Sequence, residues 1–266
     1  MPTSFPGLPG QIITALQLFI AATSYSVETN AKTRAQYSKF SRASNSNESS
    51  TWPSRYAMLV IYSPAFITSI VLLLLGRCLP SMKSIPTPSL AAVLCAIHFA
   101  KRCLEVLFLH KYSGRTDKAT PTQISVYYTL MTILVVYASG GNNDKDSGDI
   151  SNMMMCGTVL FAIGIIGNFY HHYLLAALRS KNTSTTKYVA PRGGLFNYVA
   201  TPHYLFELIG WLGIAICSNH LNVYLTFVCM SSYLSGRAVA QNDFNRRKFD
   251  EKDWPIERKN MIPFVF

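Results

Sequence analysis

The chain has 266 residues, of which 49% are hydrophobic and only 14% are charged, and its formal net charge is +11. Soluble domains carry about 25% charged residues, so this composition argues against a soluble globular protein. The basic residues lie in loops between apolar segments rather than along one polar face, which argues against nucleic-acid binding and predicts no nucleic-acid partner.

Seven apolar segments are candidates for membrane-spanning helices, and several reach the length of about 18 residues that a bilayer requires. The first and sixth are the weakest, because they are short or rich in small and polar residues. The sequence therefore predicts an all-α, polytopic membrane protein of about seven helices. In chain order the segments are Leu8–Tyr25, Tyr56–Leu75, Leu90–Leu109, Gln123–Ser139, Met153–Leu178, Tyr204–Cys217 and Leu221–Gly236.

Positive charge alternates between the connecting loops. Nineteen of the 24 Lys and Arg residues lie in the tail or in the loops that follow the first, third and fifth segments. The opposite loops hold only Arg77, Lys83 and Lys145. Because Lys and Arg concentrate on the cytosolic side of membrane proteins, the pattern predicts seven spans and a cytosolic C-terminus.

The third segment carries four polar side chains at helical spacing, namely His98, Lys101, Arg102 and Glu105. Residues three or four apart share one face of a helix. Charges are costly when they face lipid, so this face is expected to line a cavity or to lie near the cytosolic end. An alternative is a purely structural ion pair between Glu105 and Lys101 or Arg102.

A second polar stripe lies in the fifth segment and contains Asn168, His172 and Arg179. Since His171 and Asn168 stand beside it, His172 is interpreted as part of a site rather than as a satisfied core histidine. No HExxH pattern or comparable carboxylate spacing accompanies the histidines, so no metal site is predicted. No GxGxxG or Walker motif occurs, so a nucleotide would be bound by basic and amide side chains.

The segment 191–207, PRGGLFNYVATPHYLFE, joins a basic loop to the sixth helix. Its adjacent glycines indicate a sharp turn or a close backbone approach. Polar groups at membrane depth are more often functional than decorative, so His203, Tyr204 and Glu207 are candidate site residues. The tail mixes charged and aromatic residues, and it is either a solvated amphipathic end or a segment that folds back over a cofactor.

Four motifs together resemble the steroid 5α-reductase superfamily, which also contains trans-2-enoyl-CoA reductases and polyprenol reductases. The resemblance is strong over 92–266, a reductase membrane domain with a C-terminal cofactor-binding part, and weak over the N-terminal spans 1–91. It implies a multi-pass protein of the endoplasmic reticulum membrane that uses NADPH in a cavity open to the cytosol. The motifs are HFAKRCLEVLFLHKYSG, GNFYHHYLLAALR, YVAPRGGLFNYVATPHYLFE and IPFVF.

The resemblance also implies roles for individual residues. Lys101 matches the lysine of the HxxKR motif in enoyl-CoA reductases, and Tyr204 matches the tyrosine of their PNY motif, so these two are the expected catalytic residues. Tyr62 and Phe99 match the positions of the glutamate and tyrosine that hold the ketone in steroid reductases, and with His98 they are expected substrate contacts. The expected cofactor-binding residues are Asn168, His172, Arg179, Tyr188, Arg192, His203, Glu207 and Arg237.

The implied reaction is NADPH-dependent reduction of a carbon–carbon double bond conjugated to a carbonyl. The expected substrate is a 3-oxo-Δ4 steroid, or alternatively a trans-2-enoyl-CoA of very-long-chain fatty acid elongation. Tyr204 would act as the acid that donates to the developing enolate, and the adjacent positive charge of Lys101 would lower the pKa of Tyr204. Membrane lipids and other lipid-synthesis enzymes are expected partners. A seven-span receptor or transporter and a non-catalytic scaffold of the same family are the competing interpretations.

Overall fold

The computed structural model describes residues 3–35, 50–79, 82, 85–140, 148–181 and 189–266, without the side chains of 148–150 and 179–181. Seven long α-helices form within these residues, and each overlaps one of the predicted segments, so the predicted all-α class is confirmed. The helices are α1 Gly7–Thr29, α2 Ser54–Cys78, α3 Leu90–Leu104, α4 Ala119–Ser139, α5 Gly148–Lys181, α6 Pro202–Ser218 and α7 Leu221–Lys248.

Short elements connect the helices. A π-helical turn, Glu105–Leu109, continues α3, and a 3-10 turn, Gly194–Asn197, precedes α6. Two strands, β1 Thr51–Pro53 and β2 Arg115–Asp117, pair antiparallel. Because β1 precedes α2 and β2 precedes α4, the pair joins two of the loops that are predicted to be cytosolic.

Four helices are long and apolar enough to cross a membrane, namely α1, α2, α4 and the part of α5 from Ser151 to Leu178. Helix α3 has only 15 residues and carries Lys101 and Arg102 in its last turn. Helix α6 has 17 residues, and the last turn of α7 is basic. The structure therefore supports a multi-pass membrane protein, and membrane crossing by α3, α6 and α7 stays a prediction.

Helices α5 and α6 approach each other along glycine positions. A Cβ atom built on Gly164 would lie 2.3 Å from the backbone nitrogen of Gly210, and one on Gly167 would lie 2.2 Å from the ring of Phe206. In lipid, where burial of apolar surface gives little driving force, such small residues allow helices to pack by close contact. This packing brings Asn168 of α5 against the first turn of α6.

Helices α1 and α7, the first and last in the chain, are joined by buried polar contacts. The Gln17 side-chain amide donates to the Asn222 carbonyl at 2.8 Å and to the Thr226 hydroxyl at 3.0 Å. The Asn222 amide donates back to Gln17 Oε1 at 2.9 Å. Near the other end of α1, Glu28 and Arg237 form an ion pair at 3.0 Å with both side chains 2% exposed.

The Gln17→Leu variant is expected to loosen α1 from α7, because it leaves the buried amide of Asn222 short of a partner. A buried polar group without its partner costs about 1–3 kcal/mol. The measurement is the midpoint of thermal unfolding in detergent, which should fall. Gln11→Leu, at an exposed position of the same helix, is the control. Equal midpoints for the two variants would contradict the role of Gln17.

The interior of the bundle is one apolar cluster to which several helices contribute. Its buried members include Ile61 and Ala65 from α2, Phe99 from α3, Trp211 from α6 and Val223 from α7. The cluster thus contains residues on both sides of the boundary predicted at residue 91, and that boundary stays a prediction. The polar side chains described next lie at the edge of this cluster.

Candidate active site

Glu105 is the centre of a buried cluster of charged side chains at the end of α3. Its side chain is 2% exposed, and its two carboxylate oxygens lie 2.9 Å from Lys101 Nζ and 2.9 Å from an Arg102 guanidinium nitrogen. His172 of α5 places Nδ1 3.0 Å from the same carboxylate. The ion pair that was an alternative to a site is therefore present, but it extends to a second helix.

Helix α2 holds the end of α3 in place. The Arg102 guanidinium donates to the Tyr62 hydroxyl at 2.5 Å. Arg55 donates to the carbonyl of Val106 at 3.3 Å and to the carbonyl of Leu107. Both carbonyls belong to the π-helical turn, where the wider winding is common at functional sites. These contacts fix the orientation of the turn that begins with Glu105.

Asn168 links three helices. Its side-chain oxygen accepts a hydrogen bond from Lys101 Nζ of α3. Its amide nitrogen donates to the His203 carbonyl at 2.8 Å and to a Glu207 carboxylate oxygen at 3.0 Å, both on α6. The amide is 3% exposed, so its hydrogen-bonding capacity is used inside the protein. Asn168 therefore connects the Lys101–Glu105 pair to α6.

His98 extends the cluster on the α3 side. Its Nε2 lies 3.5 Å from Glu207, and its ring lies 5.0 Å from the Trp211 indole and 5.1 Å from the Phe99 ring. His98 is 5% exposed and Phe99 is fully buried. Two of the predicted substrate contacts thus stand between the carboxylate of Glu207 and the aromatic core.

Tyr204 adjoins the cluster through His203. The rings of His203 and Tyr204 lie 4.4 Å apart, and the His203 ring lies 5.3 Å from that of His172. His172 in turn contacts Glu105. Helix α6 begins at Pro202, so both side chains project from its first turn, opposite Asn168.

The structure brings most of the predicted site residues together. Arg192 and Arg237 lie in other contacts. Tyr188 and the side chain of Arg179 lie outside the described residues. The residues that meet around Glu105 and Asn168 are Tyr62, His98, Phe99, Lys101, His172, His203, Tyr204 and Glu207.

Arg192 lies at the surface, where it pairs with Asp253 at 2.5 Å and remains 60% exposed. Close by, the Arg258 guanidinium stacks 3.9 Å above the ring of Trp254 and donates to the Pro191 carbonyl at 3.4 Å. Burial, and secondly the neighbouring Arg192 charge, lower the pKa of Arg258. Two cations therefore stand close together where the basic loop meets the tail.

Arg237 is held between α7 and α1. Besides its pair with Glu28, it donates to the Ala35 carbonyl at 2.9 Å. The positive charge of Arg34 lies near both members of the pair, where it attracts Glu28 and repels Arg237. The sequence-based role of Arg237 in cofactor binding stays a prediction, since the structure shows it as a contact between the first and last helices.

The glycine-containing loop is attached to α5 by His171. The His171 Nδ1–H donates to the Gly167 carbonyl at 2.7 Å, and Nε2 accepts from the backbone N–H of Leu195 at 3.2 Å. Gly193 and Gly194 have φ of 90° and 52°, conformations that other residues rarely adopt. His171 thus has a structural role, and the adjacent His172 belongs to the charged cluster.

The tail folds back onto the start of α6. The Ala200 N–H donates to the Lys259 carbonyl at 2.9 Å, and the Thr201 N–H donates to the Asn260 carbonyl at 3.0 Å. The Asn242 side chain of α7 donates to Asn260 at 2.9 Å. The structure thus shows a tail that folds back onto the protein, and its position over a cofactor stays a prediction.

Sequence reasoning placed Glu105 on the polar face of the third segment without assigning it a role in a site, and it missed His110. One ligand atom from each of Glu105, His110 and His172 lies within 4.8 Å of the others, which is a possible metal geometry. The contacts of Lys101 and Arg102 with both carboxylate oxygens favour an ion-pair network there. The helical spacing of Glu105 was the available signal, whereas nothing in the sequence joined His110 to His172.

An apolar cavity of about 210 Å³ lies between α1, α4 and α7. Its lining includes Tyr127 and Tyr128 of α4 and Tyr233 of α7. The Tyr128 ring stacks on Tyr62 at 5.9 Å and lies 5.5 Å from Phe99. Tyr128 therefore connects the cavity to the aromatic side chains that reach the charged cluster.

Comparison with known proteins identifies the family to which this sequence is similar. The sequence model of the 3-oxo-5-alpha-steroid 4-dehydrogenase family matches residues 119–266, more than half of the chain. Human 3-oxo-5-alpha-steroid 4-dehydrogenase 1 is 30% identical over 192 residues, covering 70% of this chain and 71% of the human protein. A polyprenal reductase of Caenorhabditis elegans is 28% identical over 227 residues, covering 77% of this chain and 71% of that protein.

A very-long-chain enoyl-CoA reductase of Dictyostelium discoideum is 28% identical over 176 residues, which are 66% of this chain and only 57% of that protein. The resemblance predicted from the four motifs is thereby confirmed. The region that matches the family model includes helices α4 to α7. The chain therefore belongs to the 3-oxo-5-alpha-steroid 4-dehydrogenase family.

Proposed function

We propose that this chain is an NADPH-dependent reductase of a carbon–carbon double bond conjugated to a carbonyl in an apolar lipid. A 3-oxo-Δ4 steroid is the proposed substrate. Family membership supports a reductase, since its relatives include a steroid dehydrogenase, a polyprenal reductase and an enoyl-CoA reductase by name. The observation that carries the proposal is the row of aromatic contacts between an apolar cavity and a buried charged cluster.

Three aromatic side chains lie between the cavity and the charged cluster, and of these only Tyr128 lines the cavity. Tyr128 contacts Tyr62 and Phe99. Arg102 reaches the hydroxyl of Tyr62 from the charged side. A lipid whose apolar part fills the cavity would lie on the other side of these rings from the ion pairs, so its carbonyl reaches them only when the rings move apart. Burial of the charged cluster strengthens electrostatic stabilisation of an oxyanion, which is the largest catalytic term in many enzymes.

Individual side chains are assigned roles in this reaction. NADPH, when bound, supplies the hydride. Tyr204 donates a hydrogen bond or proton to the carbonyl oxygen that becomes the enolate, and Lys101 supplies stabilising positive charge. Asn168 orients both, because it accepts from Lys101 and donates to the backbone of His203 beside Tyr204. Glu207 fixes the Asn168 amide from the other side.

The described residues fit an anionic dinucleotide. The Nε atoms of Arg102 and Arg258 are buried without a hydrogen-bond partner among the described residues. Arg258 also stands near Arg192, so this region has excess positive charge that suits phosphate groups. Glu207 accepts from Asn168 with one carboxylate oxygen, and a carboxylate of this kind can also accept from a carboxamide. Arg179, Tyr188 and Arg237 are retained as cofactor-binding candidates from the sequence.

A trans-2-enoyl-CoA is the second candidate substrate. One observation favours it: Lys101, which matches the lysine of the enoyl-CoA reductase motif, reaches Asn168 inside the cluster. Steroid reductases are expected to hold the ketone from the positions of Tyr62 and Phe99, and Tyr62 is engaged by Arg102 here. Incubating membranes with NADPH and either progesterone or a trans-2-enoyl-CoA, followed by product analysis, separates the two substrates.

NADPH is expected to raise the midpoint of thermal unfolding in detergent, and to raise it more than NADH at the same micromolar concentration. A ligand at 100 times its Kd stabilises the folded state by about 2.7 kcal/mol. Asn168→Leu should reduce this protection, because it removes the amide that joins α3 to α6. Asn152→Leu, exposed on the same helix, is the matched control.

Absence of protection in the wild-type chain would contradict the reductase proposal. It would favour the receptor, transporter or scaffold interpretations instead. The proposed location is the endoplasmic reticulum membrane with the tail in the cytosol, because the basic loops predict that orientation. Protease access to a tag after Phe266 in sealed microsomes tests it, and a protected tag would reverse the topology.

A further inference from the structure

Large apolar side chains are exposed at the end of the bundle where α6 begins. Five of them form what is called here the apolar rim, which consists of two residues of α5, one of the loop before α6 and two of the tail. Their exposed fractions show that no described part of the protein covers them. The members are Tyr170 (46%), Tyr173 (53%), Tyr198 (50%), Phe264 (80%) and Val265 (75%).

The rim is continuous from α5 to the tail. The loop before α6 touches α5 at Gly194, where an added Cβ would lie 2.9 Å from the ring of Tyr170. Tyr198 follows in that loop, and its ring lies 5.7 Å from the ring of Phe264. Val199 pairs with Lys259, which fixes the tail beside the loop.

The backbone of the tail is shaped so that its apolar tip projects outwards. The Met261 N–H donates to the Phe266 carbonyl at 2.7 Å, and the Phe266 N–H donates to the Ile262 carbonyl at 3.0 Å, which closes a tight turn. Inside this turn Phe264 has φ of 65°, a strained conformation for a residue with a bulky side chain. The hydrogen bonds maintain the strain, and the result is an outward-facing Phe264 next to Val265.

Two members of the rim are expected at the depth of a membrane surface. Tyr170 and Tyr173 belong to the Ser151–Leu178 segment, which is apolar enough to cross a membrane, and they stand in its last third on the predicted cytosolic side. Tyrosine and other aromatic residues concentrate at the boundary between lipid chains and headgroups. The loop that carries Tyr198 contacts Tyr170 at Gly194, and Phe264 contacts Tyr198, so these two rings are expected near the same boundary.

Basic residues accompany the rim. Lys259 is exposed, and the last turn of α7 contains Arg246, Arg247 and Lys248. Basic clusters beside a membrane span attract anionic lipid headgroups. The segment 246–259 holds six basic and four acidic residues, and its net charge of +2 favours an anionic lipid surface as the occupant. The rim also includes Tyr170 and Tyr173, which are exposed on the candidate membrane span of α5, and this too favours lipid as the occupant.

We propose that the apolar rim is embedded in the interface of the bilayer, so that the tail is anchored to the membrane through Phe264 and Val265. Lys259 and the last turn of α7 then meet anionic headgroups. The tail is hydrogen-bonded to Ala200 and Thr201, immediately before α6. A tail anchored in the bilayer would therefore hold the first turn of α6 in place. This proposal does not depend on the reaction that the chain catalyses.

The test uses the full chain in liposomes with a tryptophan placed on the rim. Phe264→Trp is a conservative change at a side chain that is 80% exposed, so folding should be retained. The fluorescence of the new tryptophan is expected to be quenched strongly by phospholipids brominated near the headgroup end of the acyl chain. Bromine near the methyl end of the acyl chain should quench it only weakly. Lys252→Trp, on an exposed turn of the same tail, should not be quenched by either lipid.

The proposal would be overturned if the Phe264→Trp protein emitted at the wavelength of water-exposed tryptophan and neither bromolipid quenched that emission. A blue-shifted, unquenched emission that grows with the protein-to-lipid ratio would also overturn it, because a second copy would then be the occupant. A further variant tests the anchoring itself. Phe264→Asp should accelerate hydrogen exchange at the Ala200 and Thr201 amides in nanodiscs, and unchanged exchange would show that the bilayer does not hold the tail.

Discussion

The Lys101→Ala variant is expected to lower kcat/KM by at least about 100-fold, the low end for loss of a group that acts on a transferred proton or its charge. Its ammonium group contacts both Glu105 and Asn168, so it is the cation that joins α3 to the α5–α6 pair. Glu105 keeps Arg102 and His172 as partners in this variant. The fold should therefore survive, and the loss should appear in catalysis.

The measurement is NADPH-dependent turnover of the substrate found by product analysis, in membranes with matched protein content. Lys118→Ala, an exposed lysine on a predicted cytosolic loop, is the control and should keep wild-type turnover. Tyr204→Phe should show a comparable loss, because it removes the proposed donor and keeps the ring. Wild-type rates in both Lys101→Ala and Tyr204→Phe would exclude the proposed catalytic pair.

Gly164→Ala is expected to be strongly destabilising although it adds a single methyl group. The new Cβ would lie 2.3 Å from the nitrogen and 2.6 Å from the Cα of Gly210. Both atoms belong to the backbone of α6, so no side-chain rotation can relieve the clash. Overpacking costs about 1–3 kcal/mol even where side chains can move, and more is expected here. The yield of monodisperse protein in detergent should fall sharply.

The facing residue provides the matched control. A Cβ on Gly210 meets only the Gly164 Cα, at 3.9 Å, which is an ordinary contact. Gly210→Ala should therefore be tolerated, although it lies in the same interface and makes the same chemical change. If the two variants had equal unfolding midpoints, the close approach of α5 and α6 described above would be wrong.

The positions of the helices could be predicted because each contains an apolar run of helical length. Helix α2, predicted over Tyr56–Leu75, extends over Ser54–Cys78. The prediction failed at helix ends that are polar. Helix α7 continues to Lys248, twelve residues beyond Gly236, because a polar sequence can remain helical where apolarity no longer marks it.

The members of the candidate site were predictable, but their partners were not. Helical spacing placed Lys101 and Glu105 on one face, and the structure pairs them at 2.9 Å. The contact of Asn168 with Glu207 depends on the rotation and depth of α5 against α6. Those are set by backbone contact at glycine positions such as Gly164, and no pattern in a single sequence reports such a distance.

Arg237 shows a different limit. Its motif position associates it with the cofactor, and its ion pair is with Glu28, 209 residues away. The first predicted segment ended at Tyr25, so Glu28 was counted as part of a loop. Charged partners on helices far apart in sequence are invisible to spacing rules, since those rules compare only neighbours along one helix.

The pairing of α1 with α7 has a consequence for biogenesis. Gln17 lies in α1, and its partners Asn222 and Thr226 are translated more than 200 residues later. Until then the amide lacks its native partners, which is unfavourable for a polar group in lipid. The contact between α1 and α7 can therefore form only after α7 has been synthesised.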